Sequence, residues 1–267
     1  MKNTRLSMVQ INSVVGDYEN NFSKIRKFIK KASSSGSNIV CFPEGCLTGY
    51  TSSDPKKFSI GLDDPIISKV VEAAADENIA IAFGFMESSG SLPFITHMLV
   101  SPSGERICYR KTHLGTYEKG AFSAGDEFPV IELENICLGI HLCWEAHIPD
   151  ISSLLREKGA ELVLIPYSSG SKGINRRTNW MKFLPARAYD YGMYVAACNS
   201  VGDNGLGSYF GGGCVILDPK GTVIEEHYED DEFMITADLP PSLPRNDIDQ
   251  GMNNISYFDR RRTELFR

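Results

Sequence analysis

The sequence predicts an α/β sandwich built from two matching halves, and three observations lead there. Short β-rich runs alternate with amphipathic segments along the chain. The same order of segments then runs a second time. Finally, GSNIVCFPE (36–44) and GAELVLIPY (159–167) match position for position, 123 residues apart by the difference of their first positions, 159 and 36. Each half supplies a sheet whose apolar strands need cover on both faces. Two βαβαββ units therefore imply two sheets packed face to face with helices outside, a four-layer αββα sandwich with pseudo-symmetric halves, read as a single domain over 1–267.

The first half opens with the strand RLSMVQI (5–11), a helix over about 20–34 and the strand NIVCFPE (38–44). A second helix follows at DPIISKVVEAAADE (64–77). Pro65 suits its first turn, and Ile66, Val70 and Ala73 or Ala74 recur on one face. The strand IAIAFGF (79–85) leads to a hairpin, in which MLV (98–100) and RICYRK (106–111) flank the turn SPSGE. The second half repeats the order. ICLGIHLC (136–143) reads as a strand, followed by a helix from Pro149 to Lys158, the strand GAELVLIPY and a long helix over about 176–191. Pro185 kinks or interrupts that helix. The strand MYVAACN (193–199) and the hairpin GCVILDPKGTVIEE (213–226) close the unit.

Composition narrows the function classes. A chain of 267 residues buries an ample core without metals or disulfides. Its net charge of −7 and scattered basic residues, apart from Arg260 to Arg262, argue against nucleic acid as a partner. The N-terminus lacks a signal-like apolar run and no stretch approaches ~18 apolar residues, so the expected setting is soluble and cytoplasmic, with no membrane. Seven cysteines, at 41, 46, 108, 137, 143, 198 and 214, are odd in number and show no CxxC spacing. Most read as small core residues in a reducing compartment.

In open α/β folds the carboxyl ends of strands line the site. Here those ends carry Glu44, Lys111, Cys143, Tyr167, Ser168 and Ser169. A carboxylate, an amine and a thiol are chemically complementary, because a cysteine attacks as thiolate and a dry glutamate exchanges protons near neutral pH. Each also has a plain structural reading, as a turn cap, a hairpin-edge charge or a core thiol. His141, Cys143 and His147 offer ligands for zinc but lack a fourth at usual spacing. A papain-like Cys–His pair fits a different chain organisation. GLGSYFGGG (205–213) lacks the GK[ST] ending of a phosphate loop and reads as a loop at the pocket rim or a tight approach of backbones.

FPEGCLTGY (42–50), YRKTHL (109–114) and LGIHLCWEAHIPD (138–150) resemble, in order and spacing, the Glu, Lys and Cys motifs of the nitrilase superfamily, the carbon-nitrogen hydrolases. The likeness continues through LPARAYDYGMYVAACNSVG to SYFDRRRTELF. It implies the αββα fold, Glu44 as general base, Lys111 as stabilising amine and Cys143 as nucleophile, without metal or cofactor. Glu118 sits where the family often has a second carboxylate. Tyr50, Trp144, Glu145, His147, Tyr167 and Ser168 are the expected substrate-lining residues; no basic cluster marks a carboxylate-binding pocket, although Arg176 and Arg177 follow a strand end and could reach one, and their roles stay open. The expected reaction is hydrolysis of a small linear amide or N-carbamoyl compound through a thioester. Nitrile hydrolysis and a catalytically silent binding module are the alternatives. A homodimer or larger homo-oligomer is expected, with the tail from about 250 to 267 at its interface.

Overall fold

The computed structural model describes residues 1–170, 173–241, 258 and 261–265. The chain opens with β1 (Thr4–Gln10), α1 (Tyr18–Ser34), β2 (Ile39–Cys41), α2 (Pro65–Asp76), β3 (Ala80–Glu87), β4 (Phe94–Val100) and β5 (Arg106–Arg110). It continues through β6 (Val130–Glu132), β7 (Cys137–Ile140), α3 (Pro149–Glu157), β8 (Leu162–Tyr167), α4 (Gly173–Trp180), α5 (Leu184–Tyr191) and β9 (Tyr194–Asn199). The short pair β10 (Val201–Asp203) and β11 (Tyr209–Gly211) precedes β12 (Cys214–Leu217), β13 (Val223–His227) and β14 (Phe233–Leu239).

Two six-stranded sheets result, in the orders β14-β1-β2-β3-β4-β5 and β13-β12-β9-β8-β7-β6. In both, three parallel strands are flanked by antiparallel ones, so the sheets are copies of one plan. Period-2 alternation makes the layers. Leu6, Met8, Ile39, Cys41 and Ala82 turn inward and meet Leu138, Ile140, Leu162, Leu164 and Ala196 of the other sheet. Their strand neighbours Val9, Val40, Ile81 and Phe83 turn outward onto Ile25 and Ile29 of α1 and Ile67 and Val70 of α2. On the far side, Val163, Ile165, Val195 and Val215 pack on Ile151 and Leu155 of α3 and Leu184 and Ala188 of α5. The order helix, sheet, sheet, helix is the expected four-layer sandwich. Each fully buried aliphatic side chain contributes roughly 1.5–3 kcal/mol.

Several elements differ from the sequence reading. Strand β7 ends at Ile140, and Cys143 begins a separate 3-10 turn, Cys143–His147. The long helix is two: α4 stops at Trp180, and Pro185 stands in the first turn of α5, where its missing N–H costs nothing. The edge strands β6 and β14, each only partly apolar, escaped the pattern search. Strand β4 starts at Phe94, before the MLV run. The interface proposed for 250–267 falls mostly outside the described residues; within them, Arg261 donates to Ser153 Oγ at 2.8 Å and Glu157 Oε1 at 2.7 Å. Among the described residues no helix is long and apolar enough to cross a membrane.

Candidate active site

Strands β2, β5, β7 and β8 all finish at one rim of the sandwich, because β5 runs antiparallel to β4 and β4 antiparallel to β3. Glu44, Lys111, Cys143 and Tyr167–Ser168 follow those strand ends. The 123-residue repeat puts Tyr167 at the position of Glu44 in the second half, so the two β2-type strands present their ends to each other across the seam.

Lys111 is the hub. It is 1% exposed, and its Nζ donates to Glu44 Oε1 at 2.9 Å and to Glu118 Oε1 at 2.7 Å. Two of its three protons are committed and the third is free for a ligand. Glu118 is held in turn by the Tyr50 hydroxyl (2.6 Å) and the Gly115 N–H (2.6 Å). Glu44 Oε2 accepts the Ser168 N–H at 3.1 Å, while Ser168 Oγ donates to the Glu44 carbonyl at 2.6 Å. Ser168 therefore grips Glu44 from the opposite sheet. The turn that bears Glu44 lies against Gly84, where a Cβ would overlap Gly45 N and stand 2.9 Å from Pro43 O.

Cys143 occupies a left-handed conformation with φ of 47°, which a side chain with a Cβ adopts at a cost of about 1–2 kcal/mol. The sharp turn takes Cys143 out of the strand, and its thiol feels the charges of Glu44 and Lys111. Burial, with Glu44 next, pushes its pKa to about 12, and Lys111 opposes that rise. Burial likewise raises Glu44 to about 7 against the pull of Lys111, with Glu118 adding to the rise. For Lys111, burial works to lower the pKa, but Glu44 and then Cys143 outweigh it and the amine stays protonated. At neutral pH the site holds a thiol, an ammonium and a carboxyl group poised between its two states. A free thiolate is therefore uphill, and proton transfer to Glu44 must accompany sulfur attack.

The expected lining residues divide. Tyr167 is buried, and among the described residues its hydroxyl has no hydrogen-bond partner. Trp144 is 52% exposed, and His147 packs on Phe183 with ring centres 4.3 Å apart. Glu145 departs from the expectation. It is fully buried, and its Oε1 accepts from Tyr109 OH (2.6 Å), Thr112 N (2.9 Å), Thr112 Oγ1 (2.7 Å) and His113 N (3.0 Å). Its Oε2 accepts from Leu142 N at 2.7 Å. Glu145 is thus a clamp between the loop after Lys111 and the turn of Cys143, with no edge left for substrate. His141 is fully buried beside Ser152 Oγ at 3.3 Å, and burial lowers its pKa to about 3, so the ring is neutral. Among the described residues no cluster of three or more His, Cys, Asp or Glu has the geometry to hold a metal. Arg177 is taken by Glu226 at 3.0 Å, whereas Arg176 points inward. Gly213, at φ 118°, lets the backbone press on the side chains of Arg176 and Trp180. A surface cleft at the other ends of the strands, lined by Thr4, Asn38, Glu105 and Glu134 among others, carries no thiol or amine.

The clamping roles of Glu145 and Ser168 were missed because both act through contacts, many of them to backbone, with groups distant in sequence that meet only after folding. The signal available for Glu145 was its place two residues past Cys143 inside an apolar run, where a carboxylate needs many donors.

Residues 5–247 match the carbon-nitrogen hydrolase family, and the chain belongs to it. A nitrilase of Pyrococcus abyssi is 29% identical over 98% of this chain and 99% of its own length. An (R)-stereoselective amidase of Pseudomonas sp. is 28% identical over 88% of this chain and 85% of its own. The crystal structure of an amidase from Nesterenkonia sp. superposes with a TM-score of 0.84 at 26% identity, covering 98% of this chain and 95% of that one. A mutant of that amidase shows covalent addition of the acetamide moiety of fluoroacetamide at its active-site cysteine. The chain is accordingly an enzyme of the carbon-nitrogen hydrolase class.

Proposed function

We propose that the enzyme hydrolyses a small linear amide or N-carbamoyl compound through a thioester on Cys143. The observation that carries this reading is the buried Lys111 ammonium held between Glu44 and Glu118 with one N–H uncommitted. Cys143 Sγ attacks the carbonyl carbon while its proton passes to Glu44. The oxyanion takes the free Lys111 N–H and the Trp144 backbone N–H. As the oxyanion collapses, the C–N bond breaks and Glu44 returns the proton to the departing nitrogen, which leaves as ammonia or an amine. Water then gives a proton to Glu44 and adds to the thioester. The C–S bond breaks, and Glu44 hands the proton back to sulfur as the acid leaves.

No step calls for a metal or an organic cofactor. The reading includes one catalytic domain in a cytoplasmic, reducing setting, in keeping with seven unpaired cysteines, and assembly as a homodimer or larger, which light scattering tests. The similarity to the Pyrococcus abyssi nitrilase supports a second reading, in which the same thiol attacks a nitrile.

Ammonia release from a panel of amides, N-carbamoyl compounds and nitriles distinguishes the two. Release from amides or carbamoyl compounds, abolished in Cys143→Ala, is the expected result. An acyl adduct on Cys143 in a stalled Glu44→Gln variant, read by intact mass, supplies the intermediate. Release from nitriles alone, or undiminished release in Cys143→Ala, overturns the reading.

A further inference from the structure

Glu44 is held from the second half of the molecule by a chain of two serines, of which only the first touches it. Ser168 follows β8, and its N–H and O–H reach Glu44 Oε2 at 3.1 Å and Glu44 O at 2.6 Å. Ser200 stands between β9 and β10, 3% exposed, with its Oγ 2.8 Å from Ser168 Oγ. A hydroxyl has a single proton to give. The Glu44 carbonyl can only accept, so it takes the Ser168 proton. Ser200 is then the donor within the serine pair, and the bonds run one way, from Ser200 to Ser168 to Glu44.

Ser200 is itself fixed at both backbone groups. Its N–H donates to Tyr167 O at 3.1 Å, and its carbonyl accepts the Gly212 N–H at 3.0 Å. Beside it, the Asn199 side chain accepts the Ser169 N–H at 2.9 Å and donates to Ser169 O at 3.0 Å. The two residues after β8 are thus framed by Asn199 and Ser200. Because Lys111 takes Glu44 Oε1, the Ser168 N–H is what holds Oε2. The aim of that N–H depends on how Ser168 is turned, and its Oγ, gripped by Glu44 on one side and Ser200 on the other, fixes the turn. Without the Ser200 hydroxyl, the Ser168 side chain is tied to Glu44 alone and the two are free to shift together.

We infer that Ser200, one step removed from Glu44, is a positioning residue: through Ser168 it holds the Glu44 carboxylate in the orientation that receives the Cys143 proton. The inference rests on the reading of Glu44 as the base and extends that base's support to the opposite sheet. A hydrogen bond to the ionised form favours ionisation, so a misaimed Ser168 N–H makes Glu44 harder to ionise. The titratable groups that face Glu44 are Lys111, Glu118 and Glu145, with Cys143, Tyr50 and Tyr167. A change at Ser200 leaves all six in place.

The test is the rate at which iodoacetamide alkylates Cys143 as a function of pH, read by mass on the peptide that bears it. In that step the S–C bond forms, iodide leaves and Glu44 takes the thiol proton, so no substrate need be known. The unaltered enzyme has its acid limb near pH 7, where Glu44 ionises. In Ser200→Ala the limb moves to higher pH, and the rate on it falls about three- to tenfold, the worth of one hydrogen bond. Ser168→Ala moves it at least as far. Adding Ser200→Ala to Ser168→Ala costs nothing further, because the two hydroxyls act through one path. A limb unmoved in Ser200→Ala while Glu44→Gln is slow overturns the inference and leaves the base reading intact, even if the variant unfolds more easily, the mark of a merely structural hydroxyl pair. Losses that multiply in the double variant also overturn it. Undiminished alkylation in Glu44→Gln removes the base reading and the inference with it. If Ser200→Ala fails to fold, Ser200→Cys decides: its weaker S–H donor must move the limb in the same direction, and an unmoved limb overturns the inference.

Discussion

Glu44 can serve as both base and acid because burial holds its pKa at about 7, a balance between desolvation and the Lys111 ammonium. The sign of the pH dependence follows. Glu44 accepts the thiol proton only when ionised, so kcat/KM is lost as pH falls through about 7 and reaches a plateau above it. A pH–rate profile checks this, and an acid limb centred near 4.5, the ordinary carboxyl value, would refute it. Alkylation of Cys143 by iodoacetamide follows the same limb, since the thiol itself, at about 12, does not ionise in that range. Lys111→Met removes the cation that both carboxylates share. A loss of at least about a hundredfold in kcat is expected, as for removal of an oxyanion donor, measured at saturating substrate.

At the scale of elements, the site is a set of loops held by buried polar bonds, and two changes test that. Glu145→Gln keeps the shape but replaces a carboxylate that accepts five hydrogen bonds, four at Oε1 and one at Oε2, from the Lys111 loop and the Cys143 turn. An amide accepts at one oxygen only. The expected outcome is about 2–4 kcal/mol lower stability by denaturant unfolding and a fall in kcat with little change in KM. A pure stability loss with unaltered kcat would show that the clamp does not position the thiol. Gly84→Ala drives a Cβ into the backbone at Gly45 and Pro43, under Glu44. A loss of about 1–3 kcal/mol is expected, together with much reduced turnover.

For the whole molecule, the two halves are stitched by exchange of edges. Strand β14, after the second half, pairs with β1, and β6, between the halves, pairs with β7. The inner core draws on both sheets at once. Leu164→Ala, on that inner face, is expected to cost about 2–5 kcal/mol. It should lower a single transition, in which Trp fluorescence and far-ultraviolet circular dichroism coincide. Two separated transitions would mean that the halves fold independently.

How much of this was legible follows from range. Strand alternation, helix faces, turn residues and the repeat are local patterns, so the sequence by itself determined the layers, the duplication and the family motifs around Glu44, Lys111 and Cys143. It could not place the ends of β7 or the long helix, where a left-handed Cys143 and a helix-starting Pro185 depend on what packs nearby. The edge strands were hidden because half-exposed β6 and β14 are defined by their partners more than by their own residues. Only the tertiary structure decided which polar groups meet: Ser168 with Glu44 across 124 positions, Tyr50 with Glu118 across 68, Glu145 with two loops, and Arg176 with Ser169. The physical reason is that burial makes each such group find partners, and the partners lie far away in the chain.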